Sequence, residues 1–143
     1  MTSGKRQVLV TSEGQKTMGE GKRLQSYKDL IVWQKGIALV KEVYTLTRTF
    51  PSEEKFGLVS QMRRAAVSIP SNIAEGQARH TTKEFVQFLS HAEGSVAELE
   101  TQLILGTELG YCTPERAAPA QGLTSELKRM LNALRRKLLE NRP

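Results

Sequence analysis

The residues able to do covalent or metal chemistry are few and poorly spaced for it. The single cysteine, Cys112, has no second thiol for a disulfide and cannot alone build a thiolate zinc site, so its expected place is in the core as a small hydrophobe. Di-metal helical bundles bind their ions through Glu-x-x-His pairs, but here Gln77 stands three residues before His80 and Phe88 three before His91. Both histidines are expected at the surface. Glu93 and Glu100 are seven residues apart and share one helix flank. Aligned carboxylates act as acid–base pairs or metal ligands, or they pair with cations. Without a histidine to complete a ligand set, the reading is pairing with Arg63 or Arg64, or solvation. No nucleophile–base–acid order, Gly-rich phosphate loop or His/Cys metal spacing occurs. The expectation is a protein with no catalytic residue, no metal and no cofactor.

A different chemistry is offered by Lys128, Arg129, Arg135 and Arg136, which gather around Asn132 on one face of a helix with no acid between them. Long cations in such an array contact phosphates without reading bases; they equally form an ordinary solvated face. The net charge of +6 is concentrated at the ends, with +3 over residues 1–25, −1 over 26–113 and +4 over 114–143. Nowhere do about 18 apolar residues run together, and the N-terminus lacks a signal-peptide core, so a cytoplasmic protein without a membrane partner is expected.

Helices must position these groups. With 143 residues, 38% hydrophobic and 25% charged, the chain suits one domain with its own core. Residues 1–25, rich in Gly, Ser, Thr, Lys and Gln, read as a flexible basic tail, and 26–143 as the folded part. Ser26 with Asp29 three residues on opens a helix expected over 27–49, which Phe50-Pro51 ends. Ser52, followed by Glu53 and Glu54, opens a second containing Phe56, Leu58, Val59, Met62, Ala65 and Ala66. Pro70 conflicts with that helix, yet Ile73 and Ala74 continue the apolar pattern, so a kink near Pro70 is expected rather than a break. Thr81 with Glu84 caps a third helix ending near Gly110, and Thr113-Pro114-Glu115 opens a fourth to about Glu140. Short connections make this an all-α, antiparallel up-and-down four-helix bundle.

The first helix carries more apolar surface than a bundle core requires. Leu30, Trp33, Ile37, Val40 and Tyr44 form one stripe, and Val32, Leu39, Val43, Leu46 and Phe50 a second beside it. The surplus points to self-association, the alternative being a deeply packed helix covered by its neighbours and the tail. The pattern does not say which stripe faces outward; the interface is assigned to Val32, Leu39, Val43 and Leu46, with Ser68 and Asn72 from a polar strip on the second helix. That strip also suits a close helix–helix contact or a solvated face.

Several strings carry a resemblance: YKDLIVWQ at 27–34, FPSEEKFGL at 50–58, QMRRAAVSIPSNIAEG at 61–76, EFVQFLSHAEGSVAELETQL at 84–103 and LGY at 109–111. They resemble the small bacterial four-helix-bundle proteins encoded in intervening sequences of large-subunit ribosomal RNA genes. The likeness covers roughly residues 26–140 and is most specific at 68–76. It implies a homopentameric ring of antiparallel bundles, similar also to the accessory variability proteins of diversity-generating retroelements, which bind nucleic acid and a reverse transcriptase. By that likeness the implied partners are further copies of the chain, RNA or DNA, and a reverse transcriptase. Two positions depart from the pattern: Gly36 stands where alanine is expected, and Glu93 where a basic residue often precedes Gly94-Ser95. The function expected from sequence is a non-enzymatic oligomer that binds nucleic acid without base specificity, with a protein–protein scaffold as the alternative.

Overall fold

The computed structural model describes residues 26–141 and, ahead of them, residues 8–10, 16–18 and 22–23. Four helices make up the described fold: α1 (Ile31–Thr47), α2 (Leu58–Gln77), α3 (Thr82–Glu108) and α4 (Pro114–Glu140). Each packs against its neighbours in sequence, and α4 closes the square against α1, as short antiparallel connections require. The expected tail contains three short strands, β1 (Val8–Val10), β2 (Lys16–Met18) and β3 (Lys22–Arg23), paired antiparallel with Leu9 opposite Thr17 and Thr17 opposite Arg23. The strands are a departure from the sequence reading; the remainder of the flexible-tail expectation falls on residues outside those described.

The helix starts are where local chemistry and expectation part. The Ser26 capping box forms, with the Ser26 side chain accepting from Lys28 and Asp29 reaching back to the Ser26 amide, but it closes on a 3-10 turn, Tyr27–Asp29. Leu30 then adopts an extended backbone and α1 starts at Ile31, four residues later than expected. Likewise Ser52, Glu53 and Glu54 form a 3-10 turn of their own, and α2 begins at Leu58. Phe56 is therefore a loop residue and not part of a helical stripe. Thr81 and Thr113 cap as expected, their side chains accepting from the amides of Glu84 and Arg116, and Gly110 adopts φ +77° after α3.

Pro70 is absorbed within one continuous helix, as the apolar pattern beyond it required. Its ring is buried against Gly36, where an added Cβ would stand 3.3 Å from Pro70 Cβ and Cδ. Glycine at 36 thus lets α1 and α2 approach at the proline, which accounts for the missing alanine.

The core settles which stripe of α1 faces inward. Val32, Leu39, Val43, Leu46 and Phe50 are buried among Met62, Ile69 and Ile73 of α2, Leu89, Val96, Leu99 and Leu103 of α3, and Leu127, Leu131 and Leu138 of α4. Leu30 joins them, while Trp33, Ile37 and Val40 stay half-buried and Tyr44 exposed. Val32, Leu39, Val43 and Leu46 are therefore not available to a second copy. Their assignment to an oligomer interface is corrected here: the period-3.6 pattern showed two adjacent apolar stripes, and only packing against α2, α3 and α4 distinguished them.

Candidate functional site

Ser68 faces α3 rather than the exterior. The Ser68 hydroxyl bonds the Ala65 carbonyl and Ser95 of α3, and Asn72 Nδ2 donates to the Ser68 carbonyl at 2.7 Å. Ser68 thus joins α2 to α3, the second of the roles open to it from sequence, and its assignment to a subunit interface is corrected accordingly, while Asn72 is half-buried and bonds within α2. His80 and His91 are exposed and Cys112 is buried.

Glu93 and Glu100 do pair with cations, but with those of α4 rather than with Arg63 or Arg64. Arg135 Nε donates to Glu93 Oε1 at 2.8 Å and its Nη2 to Asn132 Oδ1 at 2.9 Å, while Lys128 Nζ lies 3.6 Å from Glu100 Oε1. The spacing of seven on α3 meets a spacing of seven on α4 in antiparallel register, so one ladder uses both carboxylates. Each rung is part-exposed and worth little to stability, on the order of 0–1 kcal/mol. Its larger effect is electrostatic: two of the four cations on the basic face already hold carboxylates. Arg129 and Arg136 are exposed and make no ion pair among the described residues. The departure at Glu93 thus provides Arg135 with its partner.

Arg63 is occupied elsewhere. Its Nε donates to buried Thr47 Oγ1 at 2.9 Å, and its guanidinium stacks 4.3 Å from the Tyr44 ring centroid, joining the end of α1 to α2. Around this junction opens a groove of about 460 Å³ lined by Tyr44, Lys55, Phe56, Val59, Ser60, Arg63, Arg64 and Val67. Phe56 is 88% exposed, Val67 41% and Tyr44 37%. The groove continues the outward stripe of α1, so the surplus apolar surface read from sequence exists on the stripe beside the one assigned. Phe56 was missed as a surface group because it was counted by residue type among the apolar residues of the expected helix, and Val67 was not singled out.

At the same end of the bundle Glu54 holds a latch. Its Oε1 accepts from the Leu58 amide at 2.9 Å, satisfying one of the free donors at the start of α2, and its Oε2 accepts from the Tyr111 hydroxyl at 2.8 Å. The amide bond first, then the tyrosine, holds the Glu54 carboxyl below its ordinary range, and the same carboxylate pushes Tyr111 up. A depressed carboxyl contributes stability that is present above its unfolded value near 4.5 and is lost as the pH falls through the folded value. Glu54→Gln is thus expected to show a smaller fall of Tm than the wild type as the pH drops from about 6 to 3. Parallel Tm–pH curves for the two proteins would show that the latch carries no linkage.

Among the described residues no group of three His, Cys, Asp or Glu side chains gathers as a metal site would need, and no helix is long and apolar enough to cross a membrane. Residues 28–133, most of the bundle, match the family model of the 23S rRNA-intervening sequence protein. The chain belongs to this family. A comparison with curated proteins found no match. A crystal structure similar to this one is that of a protein of unknown function from the S23 ribosomal protein family of Bacteroides thetaiotaomicron, with a TM-score of 0.67 and 24% identity over 72% of this chain and 96% of that one. That likeness is one of fold. The family match agrees with the resemblance carried by residues 68–76, and the four-helix bundle with the architecture it implied.

Proposed function

We propose that this member of the 23S rRNA-intervening sequence protein family is a non-enzymatic protein that assembles with copies of itself, through the groove of α1 and α2, into a scaffold. The observation that carries the reading is the unpartnered apolar surface of Tyr44, Phe56 and Val67, continuous with the half-buried Trp33, Ile37 and Val40. A monomer seldom leaves a joined apolar patch of this kind uncovered. The pentameric state rests on the family resemblance. Light scattering coupled to size exclusion tests the reading: several times the 16.0 kDa chain mass is expected, and a monomer at micromolar concentration overturns it.

Nucleic-acid binding is the second reading, and the unpaired Arg129 and Arg136 favour it. With Lys128 and Arg135 engaged by Glu100 and Glu93, a protomer presents two free cations on this face instead of four. The slope of log affinity on log salt is then expected near −2 per protomer, where four phosphate contacts would bring it near −4. Arg129→Glu combined with Arg136→Glu is expected to weaken RNA and DNA binding alike, whatever the sequence, and to leave the oligomer intact. No retardation of either nucleic acid at about 50 mM salt, or no effect of the double reversal, would leave the scaffold reading alone.

A further inference from the structure

The groove of α1 and α2 has its chemical complement on the same chain. Leu105 in the last turn of α3 and Leu109 just past its end are exposed, with Glu98 two turns before Leu105 and Glu108 next to Leu109. At 100° per residue these four lie within an arc of about 100°. Neither carboxylate forms an ion pair among the described residues; Glu98 accepts only from Gln102. The groove presents the opposite charge around its own apolar floor. Lys55 lies over the Phe56 ring, Arg63 over Tyr44, and Arg64 is exposed with no ion pair among the described residues.

The two patches also stand at the same level of the bundle. Phe50, just past α1, meets Gly106 of α3, and Tyr111 bonds Glu54 just before α2, so the end of α1, the start of α2 and the end of α3 share one end of the molecule. The patches face different sides, because α2 lies between α1 and α3.

We infer that the α3 face of one copy seats in the α1/α2 groove of the next, with Leu105 and Leu109 on Phe56, Tyr44 and Val67 and with Glu98 and Glu108 against Lys55, Arg63 and Arg64. The inference rests on the self-association proposed above and specifies a contact between two unlike surfaces. That asymmetry gives the test. Phe56→Asp spoils the groove and leaves the α3 face whole; Leu105→Asp spoils the face and leaves the groove whole. Each variant, checked for helical circular dichroism, is expected to fall from the wild-type assembly to the single-chain mass. An equimolar mixture, at the highest concentration where each alone is monomeric, is expected to recover a species of about twice the chain mass through the one intact junction. Leu109→Asp, at the exposed end of α3, replaces Leu105→Asp if the latter loses helix. A Leu105→Asp protein that assembles like the wild type, or a mixture that stays monomeric, overturns the inference while leaving self-association standing; a monomeric wild type overturns both.

Discussion

Val43→Asp is expected to unfold the bundle, and Tyr44→Asp, one residue on, to leave it folded while releasing its copies from one another. Val43 has no exposed surface and sits among the leucines and isoleucines of the other three helices. A carboxylate there must either remain charged without a partner or take up a proton, at a cost of several kcal/mol against a total stability of about 5–15 kcal/mol. Tyr44 is 100° further round α1, with its ring under the Arg63 guanidinium and one edge open to solvent. An aspartate there keeps water and gains Arg63 as a neighbour, so the helix persists; what it loses is apolar floor in the groove. Circular dichroism and light scattering separate the outcomes. A folded Val43→Asp would overturn the placement of the inner stripe, and a Tyr44→Asp of wild-type mass would remove Tyr44 from the interface.

These adjacent residues mark how far the sequence could be read. That α1 has two apolar stripes was legible from the 3.6-residue period, because burial on either side of a helix leaves the same arithmetic. Which stripe is buried was not legible. The choice depends on the side from which α2 and α4 approach, a property of the assembled square and not of α1. The polar strip of α2 was ambiguous for the same reason. Ser68 and Asn72 have the size and hydrogen-bonding capacity for any close approach; Ser68 bonds Ser95 of the same chain, and Asn72 bonds the Ser68 carbonyl one turn back in α2.

The pairing of the α4 stripe was missed for a different reason. Its four cations were found from α4 alone and the two carboxylates of α3 from α3 alone. The shared spacing of seven was the available clue that they belonged to one ladder: antiparallel neighbours bring matching repeats into register, as Glu93 with Arg135 and Glu100 with Lys128 now show. Helix boundaries diverged where a 3-10 turn precedes the helix. Ser26 caps the turn ahead of α1 instead of α1 itself, and Glu54, expected as an acid at the start of the second helix, accepts from the Leu58 amide where α2 begins.

Gly76 and Gly94 are expected to respond in opposite directions to the same substitution. Both are helical, so replacing either by alanine adds helix propensity worth up to about 1 kcal/mol. Around Gly94 nothing stands within 4 Å of an added Cβ, and Gly94→Ala is expected to raise Tm. At Gly76 the Cβ would lie 2.8 Å from Phe88 Cβ, 2.9 Å from Phe85 Cδ1 and 3.3 Å from the Phe85 carbonyl. Phe88 Cβ is fixed to the α3 backbone, so relief requires α2 and α3 to separate where they pack most extensively. Overpacking of this kind costs about 1–3 kcal/mol. Less a propensity gain of up to about 1 kcal/mol, Gly76→Ala is expected to lose up to about 2 kcal/mol, a fall in Tm of up to roughly 8 °C. The result bears on the motif at 68–76, whose serine, proline and glycine are now seen as three ways of bringing helices together: Ser68 to Ser95, Pro70 to Gly36, and Gly76 to Phe85 and Phe88. Equal and positive shifts at both glycines would mean that α2 and α3 have room at their crossing, and that close packing is not what residue 76 provides.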